Sequence, residues 1–320
     1  MNLFKGIPHK TFTLLMLLGV FGTLVLSFGI FQLDFASSDN DIIRRYQTQK
    51  IVSSEKIETL IVGDSSAGNA IDATYFTELS GDQTTNLALT GSFGLVGTYE
   101  MIHEVSVHHP ELKNVIIIHT LDIWRRPFAK EGLFELRRGQ NLFFWSSFFD
   151  RSPVLSYLEY AGQFKNILRA GRALLAKTPL GSFIPSDAQI LLIDETHEYL
   201  KQESSTYKNG EKTLQGDEKL SSLIDEDKQK IFSMIDNLCG ERKLNCLYLH
   251  GPIHEMVYHN SLPEVEAIHE KLQSAENIVA LEKIFEYENN QMGDSINHVD
   301  VSVKRTVTKD YSDYVKKYLK

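Results

Sequence analysis

Ile57-Glu58-Thr59-Leu60-Ile61-Val62, followed by Gly63-Asp64-Ser65-Ser66-Ala67-Gly68-Asn69, is the stretch whose reading decides the fold. The first six residues are a short β-rich run that stops at a glycine, as a buried parallel strand stops at a loop. The next seven are small or polar, and the helix that follows them offers free N–H groups at its start. The same grammar recurs downstream. Thr84 to Leu89 and Asn114 to His119 predict two more strands, with helical spacing from Tyr99 to His108 between them. Leu220 to Leu238 predicts an amphipathic helix feeding a strand at Cys246 to Leu249, and Val265 to Leu272 predicts another before Ile278 to Leu281. Strand and helix alternate, which defines an α/β chain with a mostly parallel sheet covered on both faces.

The 320 residues are 42% hydrophobic and 23% charged, enough apolar material for a sizeable core and too much for a disordered chain. A formal charge of -9 excludes a general nucleic-acid binder, which needs an excess of Lys and Arg to track phosphates.

From Thr11 to Leu33 the chain runs for 23 residues without a charge. At about 1.5 Å per residue this is long enough to cross a bilayer. A secretory signal has a shorter apolar region and a small-residue cleavage site, whereas only Phe35-Ala36-Ser37 follows here. Lys5 and Lys10 precede the run, and Asp34, Asp39 and Asp41 follow it, so the positive-inside rule places the N-terminus in the cytoplasm. The expected organisation is a cytoplasmic tail over 1–10, a transmembrane helix over 11–33 and a juxtamembrane linker or short helix over 34–54. The domain over 55–320 then lies outside the cytoplasmic membrane, in the periplasm of a Gram-negative cell. Cys239 and Cys246 are the chain's two cysteines and are close enough to pair. In such a compartment a disulfide would stabilise the fold by roughly 2 to 3 kcal/mol, against the alternative of two buried thiols.

Between Trp124 and about Ser186 the alternation breaks. This aromatic, helical insert carries ten basic residues against four acidic ones in a chain of opposite net charge. Such asymmetry suits contact with lipid headgroups, an acidic glycan or a partner, and equally a helical excursion that solvates its charges.

A serine just beyond a strand end, with helix N–H groups behind it to face an oxyanion, is placed for nucleophilic chemistry. That role falls on Ser65. It needs a base, and Gly293-Asp294-Ser295-Ile296-Asn297-His298-Val299 supplies one in a polar loop before the last helix. His298 can take the Ser65 proton while Asp294 orients the imidazole. A GDS near the start of the domain and an Asp-then-His loop near its end resemble the first and last blocks of the SGNH (GDSL-like) hydrolase and acyltransferase superfamily. The resemblance implies a flavodoxin-like α/β/α sandwich, and it carries an oxyanion role onto the N–H groups of Ser65 and of Gly91, within Asn86-Leu87-Ala88-Leu89-Thr90-Gly91. The chain departs from the family twice. Leu121 stands in His119-Thr120-Leu121-Asp122 where the family has an oxyanion asparagine, and three residues rather than two separate Asp294 from His298. With the N-terminal anchor, the chain is most similar to the membrane-tethered type associated with polysaccharide O-acetylation. That implies acyl transfer to an envelope or exopolysaccharide glycan beside a multi-spanning membrane-bound O-acyltransferase, with no cofactor. A carbohydrate or lipid esterase with the same residues, or a non-catalytic accessory subunit of the same fold, are the alternatives.

Asp122, Trp124, Arg125, His250 and His254 are the further candidates for substrate contact. Trp124 and Arg125 suit stacking and bidentate contacts to an anionic glycan, or the seating of the insert. His250-Gly251-Pro252-Ile253-His254, with His259 nearby, invites a metal reading. Gly251 and Pro252 break any helix that would present both imidazoles together, so no metal is expected.

Overall fold

The computed structural model describes residues 39–126, 193–202, 205–211, 214, 218–220 and 226–320, with some positions between 11 and 22. The chain divides into two units, and every element named below lies in the one formed by Ser38–Leu136 and Ile190–Lys320. Most of the expected transmembrane span and insert lies outside the described residues. Among those described, no helix is long and apolar enough to cross a membrane.

The elements in chain order are α1 (Asp39–Ser53), β1 (Thr59–Gly63), α2 (Ser65–Ala70), α3 (Ala73–Ser80), β2 (Thr84–Asn86), α4 (Gly94–His108) and β3 (Asn114–His119). A 3-10 turn at Leu121–Trp124 precedes β4 (Ile193–Asp194) and β5 (Tyr199–Leu200). Then come α5 (Glu226–Arg242), β6 (Asn245–His250), β7 (Ile253–His254), α6 (Glu255–His259), α7 (Leu262–Leu272), β8 (Ile278–Ala280), β9 (Glu286–Tyr287) and α8 (Lys304–Val315). The central sheet has five strands in the order β2-β1-β3-β6-β8, and every pairing in it is parallel. The chain therefore starts in the middle of the sheet, winds to one edge and returns to the other, the doubly wound order that puts a functional crevice at the carboxyl ends of the strands.

Burial explains why these runs are strands. Every residue of β1, β3 and β6 is buried, as strands covered on both faces must be. On one face α4 packs against α5, and elsewhere α8 packs against α2 and α3. The core includes an aromatic cluster in which Trp124 meets Phe232 edge-on at 5.5 Å between ring centroids and Phe232 meets Tyr248 at 5.7 Å. The Cys239 and Cys246 sulfurs are joined as a disulfide that ties the end of α5 to β6.

Residues 39–53 form the helix α1, which buries Ile43, Gln47 and Ile51. Gln47 donates to the Ala88 carbonyl at 3.0 Å and Lys50 to the Asn86 carbonyl at 2.8 Å, two side-chain bonds that dock α1 beside β2. Of the helix expected over Leu220 to Leu238, the described part runs from Glu226, and Leu220 is not helical. Leu220 is instead a buried anchor whose N–H donates to Ser261 Oγ at 2.9 Å.

Candidate active site

The site is built at the carboxyl ends of β1 and β3, where the register sets Gly63 beside Ile118. Gly63 has φ +150, and a β-carbon there would lie 1.7 Å from the Ile118 carbonyl oxygen. Only glycine lets the two strands stay paired while the chain turns into α2. Asp64 caps that helix, its Oδ1 accepting from Ser66 N–H at 2.9 Å, and Ser65 occupies the first helical position. The Ser65 N–H therefore belongs to the first turn, whose donors have no acceptor within the helix.

Asp64 is fully buried, and burial works to raise its carboxyl pKa. Hydrogen bonds from His119 and Ser66 outweigh that and hold it below its usual value. His119 Nδ1 is 3.3 Å from Asp64 Oδ2, Thr120 N–H donates to the same oxygen at 3.0 Å, and His119 Nε2 meets Thr98 Oγ1 at 2.7 Å. This buried network ties the end of β3 to the helix that bears Ser65.

From the far end of the chain, His298 Nε2 comes to 2.7 Å from Ser65 Oγ, and His298 Nδ1 to 2.8 Å from Asp294 Oδ1. An ionised carboxylate can only accept, so Nδ1 carries the hydrogen. The neutral ring then presents its Nε2 lone pair to the Ser65 hydroxyl, the tautomer a general base requires. The three residues between Asp294 and His298 form the tip of a loop closed by Gly293 N–H on the His298 carbonyl at 2.7 Å and by the bridge between Met292 and Val299. Asn297 pins this tip to the loop after β3, its amide donating to Thr120 Oγ1 at 2.9 Å. The longer spacing thus still delivers Asp294 to the imidazole.

Gly91 is half-buried, and the place a β-carbon would take there is 3.3 Å from Arg126 Nη1. Asp122 pairs with Arg126 at 2.7 Å. Trp124 cannot stack on a sugar, because it is fully buried and donates its indole N–H to Tyr248 Oη at 2.8 Å. Arg125 is buried, with Nε and Nη1 unpaired and shut off from water, so it offers no fork to an external anion. His250 is wholly buried with neither ring nitrogen bonded, and burial, then the nearby His269 and His119, push its pKa down to about 3. It is a neutral core residue. His254 caps α6, Nδ1 accepting from Met256 N–H at 3.2 Å, and His259 lies at the surface beside Glu286 at 3.1 Å. No three His, Cys, Asp or Glu side chains are grouped to hold a metal among the described residues. Leu121 is buried and brings no donor to the oxyanion side.

Sequence reasoning gave Asn69 no role and passed over Gln202. Asn69 lies one turn beyond Ser65 on the same helix, and its amide donates to the Ser65 carbonyl at 2.8 Å, a relation readable from the i, i+4 spacing. Gln202 had no local signal. No family model matches the chain, and no curated protein matches it.

Proposed function

We propose that the protein is an acyltransferase that passes an acyl group, acetyl in the simplest case, through Ser65 to a hydroxyl of a cell-envelope or exopolysaccharide glycan. The observation that carries this reading is the unbroken run of contacts from Ser65 Oγ through the His298 imidazole to Asp294. Ser65 Oγ attacks the donor carbonyl as its proton passes to His298 Nε2, and the charge on the tetrahedral oxygen faces the first-turn N–H groups of α2. Collapse breaks the bond from the carbonyl carbon to the leaving atom, which takes the proton from His298 as it departs. A glycan hydroxyl then gives its proton to His298 Nε2 and attacks the acyl carbon; the bond from that carbon to Ser65 Oγ breaks, Oγ takes the proton back from His298, and the acylated sugar leaves. Asp294 stabilises the imidazolium at both stages.

Leu121 brings no side-chain donor to the oxyanion, and lacking one such donor costs a site of this type about 10²- to 10³-fold in rate. Such a site is slower than an esterase with the full set, which a committed donor and acceptor would tolerate. The choice of glycan as acceptor, of a multi-spanning membrane-bound O-acyltransferase as acyl source, and of an N-terminal anchor holding the domain on the outer side of the cytoplasmic membrane rests on the SGNH resemblance and the uncharged run at Thr11 to Leu33.

The test is incubation of the full chain with an activated acetyl ester. An acetyl mass on Ser65 that is absent in Ser65→Ala is expected, and its absence from the wild type overturns the reading. An oligosaccharide acceptor should then speed loss of the acyl-enzyme and gain an acetyl group. Turnover that ignores the acceptor and yields only acetate assigns the site to hydrolysis.

A further inference from the structure

One side chain outside the triad touches both of its halves. Gln202 follows β5, and its Nε2 donates to Asn69 Oδ1 at 3.1 Å and to the Val299 carbonyl at 2.7 Å. Asn69 in turn donates to the Ser65 carbonyl, and Val299 is the residue after His298. The result is a relay of two amides running from the backbone of the nucleophile to the backbone of the base. Its ends are both carbonyl oxygens, which can only accept, so each amide has one workable orientation. Gln202 Oε1 is buried without a partner among the described residues. The amide also packs against the triad loop, since a β-carbon on Gly293 would lie 3.0 Å from Nε2.

The strand pair that carries Gln202 is itself fastened to the nucleophile helix. The Tyr199 ring lies flush on Gly68, where a β-carbon would come within 2.3 Å of it, and Tyr199 Oη donates to the Leu89 carbonyl at 2.8 Å. Lys304 Nζ donates to the carbonyls of Gly68 and His197, each at 2.7 Å. Lys50 pairs with Glu198 at 2.6 Å. Gln202 is therefore presented from a rigid support rather than from a free loop end.

We infer that Gln202 is a positioning residue that sets the separation between Ser65 and His298, by holding Asn69 and Val299 on one amide nitrogen. The inference rests on the acyl-enzyme reading above. Gln202 touches neither Ser65 Oγ nor His298 Nε2 in the bonding network, so its effect falls on proton transfer and attack, not on substrate affinity. A misplacement of about 1 Å between reacting groups is enough to cost on the order of 10²-fold.

The experiment compares pre-steady-state bursts of full-length wild type, Gln202→Met, Asn69→Ala and the double variant with an activated acetyl ester. Methionine keeps the length and volume of the side chain and removes both donated bonds. The burst amplitude counts correctly folded sites, so it separates a rate effect from misfolding. Gln202→Met is expected to lower the acylation rate constant by about 10- to 100-fold, with amplitude and ester affinity unchanged. The double variant is expected to lose less than the product of the two single losses, because the two side chains belong to one relay. A rate constant equal to wild type, a loss confined to amplitude or affinity, or losses that multiply each overturn the role of Gln202. Failure of wild-type Ser65 to acylate at all instead overturns the nucleophile reading, and this role with it.

Discussion

Two carboxylate–imidazole–hydroxyl chains stand at the carboxyl ends of the central strands β1 and β3. In one, Asp64, His119 and Thr98 are linked at 3.3 and 2.7 Å; in the other, Asp294, His298 and Ser65 are linked at 2.8 and 2.7 Å. The residue types are nearly the same, and the difference lies in access. The His119 and Asp64 side chains are 0% exposed, whereas those of His298 and Asp294 are 19% and 35% exposed. Asp64 also accepts from the Ser66 and Thr120 N–H groups, so its lone pairs are committed to backbone. A substrate carbonyl has no route to Thr98. The buried chain braces the turn that bears Ser65, and the open one is equipped to react, a division made by burial rather than by composition.

Four variants test that division, the largest effect first. His298→Ala should lower the rate of Ser65 acylation by about 10⁴-fold or more, with the melting temperature little changed, since it removes the base from a partly exposed site. Equal loss in stability would mean that the open chain is also structural. His119→Ala should do the reverse and cost about 3 kcal/mol of unfolding free energy in denaturant titration, because it removes a hydrogen bond from the buried Asp64 carboxylate and leaves a cavity.

A third test concerns Lys304, whose ammonium is buried beneath the nucleophile helix and whose pKa burial pushes down to about 8 from 10.5. Between those pH values the unfolded chain holds a proton that the native protein has released, so the contribution of Lys304 to stability rises with pH across the window. The gain amounts to roughly 3 kcal/mol. Stability measured from pH 8 to 10.5 should show this rise in the wild type and lose it in Lys304→Met. A rise that survives the substitution would assign it to other groups. The smallest effect is expected from Thr98→Val, about 1 to 2 kcal/mol for an unpaired His119 nitrogen, without change in the acylation rate constant.

How much of this was legible beforehand follows from how local each signal is. β3 begins and ends where its apolar run does, at Asn114 and His119. β2 ends at Asn86, short of the apolar run, because the Asn86 side chain accepts the Ala88 N–H and donates to the Ala67 and Ile71 carbonyls. Ser65, Asp294 and His298 could be chosen because a strand-end serine and an acid–base loop each have local patterns. Trp124, Arg125, His250 and His254 were chosen on residue type and on their place beyond strand ends, and the structure buries all four, with His254 capping a helix. Type carries no information about burial in a chain whose strands are covered on both sides. Gln202 could not have been found, since its partners lie 133 and 97 positions away.

The contact at Gly63 also bears on how this chain can change over generations. Every missense substitution of that codon adds a β-carbon, and each would drive it into the Ile118 carbonyl oxygen at 1.7 Å. A library randomised at position 63 and selected for folded protein should return glycine alone. Sequence change at this end of the sheet is then left to the loops around Ser65, because the turn that presents it has no neighbouring sequence to move to.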